Sequence, residues 1–144
     1  MSTINILCVI DAESLVKKYP AAANSRQTLN HTQLHPYARM IAKQDDVLAS
    51  QASDDLSIKV KQGDTVKWRA VSLTDDREYQ VDIDGFSSVD TGFPPFELGN
   101  TDTWQTMITQ LPGSGKDAYW VSFSVKDPNG KRYQFNWDPY ITVV

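Results

Sequence analysis

Tyr119-Trp120-Val121-Ser122-Phe123-Ser124-Val125 and Tyr133-Gln134-Phe135-Asn136-Trp137, joined through Asp127-Pro128-Asn129-Gly130, decide the fold. Tyr119, Val121, Phe123 and Val125 alternate with Trp120, Ser122 and Ser124. Across the turn, Tyr133, Phe135 and Trp137 alternate with Arg132, Gln134 and Asn136. A period of two gives each strand one face for a core and one mostly for water. Pro128 presets φ for a turn, and Gly130 can take the left-handed conformation that a bulged hairpin needs. Beyond the hairpin, Asp138-Pro139 turns the chain into Tyr140-Ile141-Thr142-Val143-Val144, an apolar run expected to pair into the sheet.

Working upstream, the same alternation recurs in Leu56-Ser57-Ile58-Lys59-Val60, in Thr65-Val66-Lys67-Trp68-Arg69-Ala70 and in Tyr79-Gln80-Val81-Asp82-Ile83-Asp84-Gly85-Phe86. Shorter strands are predicted over 37–42, 47–50 and 104–108. The segment 3–10 reads as a strand apolar on both faces, as a central strand would be. Asp11 then offers a helix N-cap, with Glu13 in the first turn, Lys17 and Lys18 in the last, and Pro20 as the stop. Two stretches, 21–36 and 87–103, read as long loops, and Pro112-Gly113-Ser114-Gly115 as a strand stop. Eight to ten short strands with turn signals between them and a single short helix predict an all-β fold, an antiparallel two-sheet sandwich spanning residues 1–144 as one domain.

The chain has 144 residues with 40% hydrophobic and 22% charged, the composition of a globular protein. A formal net charge of −4 and the absence of any basic run argue against a nucleic-acid partner. No apolar stretch is long enough to span a bilayer, and the segment ahead of Asp11 lacks the basic start and small-residue site of a signal peptide. The single cysteine, Cys8, cannot form an intrachain disulfide. A cytoplasmic setting is therefore expected.

Chemistry-bearing motifs are few. His31 and His35 are four apart, but Pro36 follows directly and no apolar periodicity surrounds them, so they read as solvated loop histidines lacking a third ligand in the same stretch. Asp82-Ile83-Asp84-Gly85 resembles part of a calcium loop, yet both anchor positions, Gln80 and Thr91, are wrong. Asp75, Asp76, Asp90 and Asp102 fall in or beside loops and read first as solvated acidic residues, with a calcium site built by converging loops as the alternative. No glycine-flanked serine is present, and Gly113-Ser114-Gly115-Lys116 lacks the leading glycine of a phosphate loop. Catalysis is not expected.

Four tryptophans and six tyrosines are many for this length, and most belong in a core. Trp120 is the exception: alternation points it away from Tyr119, Val121 and Phe123. It is expected at a subunit interface first, under intrachain cover second, and as a sugar platform third.

The stretch from Ile58 to Trp68 is similar to the strand-turn-strand of cupredoxins. The ligand count argues against copper, since Cys8, His31 and His35 do not cluster after the last strands. At Val9-Ile10-Asp11, Ser53-Asp54-Asp55-Leu56, Gly63-Asp64-Thr65-Val66 and Phe135-Asn136-Trp137-Asp138-Pro139-Tyr140-Ile141-Thr142-Val143 the chain resembles the AidA/PixA family of bacterial inclusion-body proteins. The resemblance runs end to end, with Trp137-Asp138-Pro139 its most specific part. It implies a non-enzymatic, quorum- or phase-regulated accessory protein tied to host interaction or virulence, and it brings no catalytic residues. With only three methionines, bulk storage is not expected. The expectation is thus a homo-oligomer, a dimer being favoured, with Trp120 at its interface. The competing expectation is a carbohydrate-binding rim of Asp11, Asn136, Trp137, Asp138 and Tyr140; no metal or cofactor is expected, and Asp11 and Asp138, the only calcium candidates on it, read first as a helix cap and a turn residue.

Overall fold

The computed structural model describes residues 1–88, 96–97, 102–109 and 116–144. Asp90, Thr91, Phe93-Pro94-Pro95 and Pro112-Gly113-Ser114-Gly115 lie outside the described residues. In chain order the strands are β1 (Thr3–Ile10), β2 (Gln27–Thr28), β3 (Ala38–Ile41), β4 (Val47–Ala49), β5 (Ser57–Val60), β6 (Thr65–Ser72), β7 (Gln80–Ser88), β8 (Phe96–Glu97), β9 (Trp104–Met107), β10 (Lys116–Lys126), β11 (Arg132–Trp137) and β12 (Tyr140–Val143). The helices are α1 (Ala12–Lys18) and the single turn α2 (His31–Leu34).

They form a β-sandwich. The first sheet runs β3-β1-β6-β9-β8. The second runs β2-β11-β10-β12-β5-β4, with β7 on the other edge of β10. The expected antiparallel pairing holds for the hairpin and its neighbours, but both sheets are mixed. β1 pairs with β6 in parallel, as do β12 with β5 and β11 with β2. These parallel pairs join strands far apart in sequence, which a connection other than a tight turn must link.

The terminal hairpin is built as its sequence predicts. Gly130 sits at φ 82°, and Asp127 closes the turn by accepting through Oδ1 from the amides of Asn129 and Lys131 at 2.9 Å each. The register then runs on unbroken from Trp137 opposite Val121 to Tyr140 opposite Ala118. β11 and β12 are therefore one line of chain along β10, interrupted at Asp138-Pro139. On its far edge β11 takes β2, and β12 takes β5.

Tyr119, Val121, Phe123, Val125, Phe135 and Trp137 point inward and are buried against Ile4, Ile6, Cys8, Val66 and Trp68 of the facing sheet. The buried Trp68 indole donates to the Tyr119 hydroxyl at 3.0 Å, so neither large ring carries an unsatisfied polar atom into the core. β1 is less covered than its composition suggests: Leu7 and Val9 are half-buried, on the outer face of the first sheet.

Asp11 caps α1 as expected, accepting from the Ser14 amide, and Glu13 pairs with Lys17. The predicted long loop over 21–36 is instead a chain of short elements: a 3-10 turn at Pro20–Ala23, β2 and α2. Arg26 holds this segment onto the second sheet. Its guanidinium donates to the carbonyls of Phe123 and Phe135 and pairs with Asp84 at 3.1 Å. Asp84 lies where the β7–β10 register slips, and it also accepts from Ser124 and Arg132. The fragment that resembled a calcium loop is thus a bulged strand whose carboxylate answers two arginines.

Candidate functional site

α2 follows from a cap rather than from periodicity. Asn30 accepts from the Gln33 amide while the Gln33 side chain accepts from the Asn30 amide, a reciprocal capping box that fixes one helical turn. His31 opens that turn and His35 caps its end, so a spacing of four places both rings on one side, 5.0 Å apart between centroids. Pro36 does not prevent this, because the turn has ended before it. The bias that proline places on its neighbour is outweighed by the bond from the His35 amide to the His31 carbonyl at 2.8 Å.

Asp54 reaches the same place from another part of the chain. Ser50 and Ala52 adopt left-handed φ of 61° and 59°, and Gln51 between them uses its side chain to bond both main-chain groups of Ala42. Ser53 then bridges Met40, and the Trp137 indole donates to the Asp54 carbonyl at 3.1 Å. Left-handed non-glycine residues cost about 1 kcal/mol or more each, and the surrounding bonds hold them there.

The resulting cluster has short distances. His31 Nδ1 lies 3.0 Å from Asp54 Oδ2, and His35 Nδ1 lies 3.2 Å from Asp54 Oδ1. The Asp54 side chain is 3% exposed, while the imidazoles are 51% and 53% exposed. Asp55 Oδ2 stands 3.7 Å from His31 Nδ1. The hydrogen bond to Asp54, then the charges of Asp54 and Asp55, hold the His31 imidazole above its ordinary value against the opposing effect of burial. Burial first, then the charges of Asp55 and Asp54, push the Asp138 carboxyl up. Burial and the charges of Asp55 and Asp138 do the same to the Tyr140 hydroxyl. Asp54, Asp55, Asp138 and Tyr140 therefore share one electrostatic neighbourhood, supplied by the 50–55 turn and the Asp138-Pro139 break.

The expected rim does not assemble as one surface. Asp138 and Tyr140 meet near Asp55, but Trp137 is 3% exposed and belongs to the core, so its ring offers no face to a sugar. Asn136 points from the opposite face of β11, where it accepts from Ser122 at 2.9 Å and from Arg26. Asp11 is engaged as a helix cap. His31 and His35, read as solvated loop residues, stand instead on α2 and at its end and share Asp54, 23 and 19 residues away, as a hydrogen-bond partner. Their spacing was a visible signal, but a search confined to the same stretch could not reach Asp54.

Trp120 is half-buried on the outer face of β10. It stands opposite Ser87, and Ser122 beside it stands opposite Gly85, where a Cβ would meet nothing within 4 Å.

A family model described as PixA, inclusion body protein, matches residues 2–97. That match includes His31, His35 and Asp54 and stops short of Trp137-Asp138-Pro139. No curated protein matches in sequence. The fold is similar to a crystal structure titled inclusion body protein (PixA) from Burkholderia cenocepacia J2315, with a TM-score of 0.79 at 17% identity over 99% of this chain and 95% of that one.

Proposed function

The chain belongs to the PixA family of inclusion body proteins, and on that footing we propose that it acts without catalysis, as a homodimer joined through the outer face of β10 around Trp120. The observation that carries this reading is the half-buried Trp120 beside the open strip at Gly85, Ser87 and Ser122. A contact related by a two-fold axis sets a patch against its own copy, so charge there would repel itself. Among the described residues, Gly85, Ser87 and Ser122 beside Trp120 carry none, and the flanking Asp84 is paired with Arg26 and Arg132. An aromatic anchor on an uncharged patch is the usual centre of such an interface. The accessory role, regulated by quorum or phase and tied to host interaction, and the cytoplasmic location belong to the same proposal.

Size-exclusion chromatography with light scattering tests it. The expected result is a dimer that Trp120→Ala converts to monomer with the circular dichroism spectrum unchanged. A wild-type monomer, or a dimer indifferent to Trp120→Ala, sinks the reading. The second reading is a glycan stacked on the same indole face, which the open strip would admit. A glycan array on wild type and Trp120→Ala, with and without chelator, separates the two.

A further inference from the structure

We propose that His31, His35 and Asp54 bind a single divalent transition-metal cation of the zinc class, a site separate from the Trp120 face. Donor spacing is the first argument. Their ligand atoms all lie within 4.8 Å of one another, with Nδ1–carboxylate separations of 3.0 and 3.2 Å. A tetrahedral ion with bonds of about 2.0–2.2 Å sets its ligands about 3.3–3.6 Å apart, so each Nδ1–carboxylate pair would spread by a few tenths of an ångström, within a donor set that lies inside 4.8 Å. Asp55, with Oδ2 at 3.7 Å from His31 Nδ1, stands where a fourth ligand would enter.

Charge is the second and independent argument. Asp54, Asp55 and Asp138 gather here, and among the described residues no lysine or arginine pairs with any of them. Asp54 is the most buried of the three, so its negative charge is the least relieved by water. An ion held between the two imidazoles and this carboxylate would offset negative charge that no lysine or arginine among the described residues meets.

Donor type fixes the class of ion. Imidazole nitrogen suits zinc, copper and nickel, whereas calcium and magnesium ask for oxygen throughout. Support for the donors is also in place: the capping box holds both histidines, and the Ser53 bridge and the Trp137 indole hold Asp54. Protons balance simply. Each Nδ1 surrenders the hydrogen it gives to Asp54, a neutral ring keeps its one proton on Nε2, and a doubly protonated ring releases one to solvent.

The test uses the full chain without an affinity tag, titrated with zinc chloride by calorimetry in a buffer that does not bind metal. Saturable binding of one zinc per chain is expected, with calcium chloride giving no such isotherm. Both imidazoles are exposed, so His31→Gln and His35→Gln leave the fold intact by circular dichroism, and each weakens zinc at least about tenfold. Zinc also raises the melting temperature of the wild type and of neither variant. Absence of one-to-one zinc binding, or binding undiminished by either substitution, overturns the site and leaves a carboxylate satisfied by hydrogen bonds from the two histidines and the Ser53 hydroxyl.

Discussion

The Trp137 indole donates to the main-chain carbonyl of Asp54 at 3.1 Å across 83 residues, tying the inner face of the terminal hairpin to the turn that carries the buried carboxylate. Trp137→Phe keeps an aromatic ring against Phe123, which Trp137 meets edge-on at 5.0 Å, but strands the buried carbonyl. A loss of about 1–3 kcal/mol is expected, read as a lowered midpoint in guanidinium denaturation.

Arg26 makes its contacts with Asp84, with Asn136 and with two carbonyls from a part-buried position. Arg26→Ala should cost about 2 kcal/mol in the same measurement, tempered because Asp84 keeps Ser124 and Arg132. Hydrogen exchange should rise over β2 first, since Arg26 is its clamp.

Cys8 is fully buried, and that burial pushes its thiol up to about 12. The thiolate is the reactive form, so an aromatic disulfide reagent should leave the native protein unmodified and label it only as denaturant unfolds it. Labelling at the rate of a free thiol in buffer alone would contradict this burial.

Asp64 gives a pH dependence of defined sign. Burial pushes its carboxyl up, but the amides of Lys61 and Ser2 and the positive charges of the amino terminus and Lys61 prevail, so the net shift is downward. A carboxylate depressed on folding stabilises the native state above its unfolded value of about 3.9 and loses that contribution as pH falls through the folded value. Wild-type stability should therefore fall more steeply than that of Asp64→Asn between about pH 5 and pH 2.5, measured by urea unfolding.

The sandwich was legible because alternation is local: Tyr119 to Val125 and Tyr133 to Trp137 state which side is buried with no knowledge of their partners, and the structure buries those sides. Parallel pairing was not legible, since nothing in Thr65-Val66-Lys67-Trp68 says that Thr3-Ile4-Asn5-Ile6 will lie beside it. The 21–36 segment was misread for a related reason. A two-residue strand and a one-turn helix have no period to detect, and only Asn30 and Gln33 at cap spacing betray the turn. Ser53-Asp54-Asp55-Leu56 stood out as a family signature, but its link to His31 and His35 is tertiary, made by the left-handed residues at Ser50 and Ala52 and by the Met40–Ser53 bridge. Trp137, placed on the rim, was already marked as inward by its alternation with Asn136.

β12 sits between β10 and β5, with Tyr140–Val143 parallel to Ser57–Val60 on one side and antiparallel to Lys116–Ala118 on the other. On a translating ribosome, the β4–β5 pair therefore has no strand on its open edge until the chain has been made through Val143. Until then the seam beside β5 stays unzipped, and its closure waits on a strand made well after β5 itself. Such a seam is a place where neighbouring nascent chains can exchange strands, so the order in which this protein is made bears on how readily it accumulates intact.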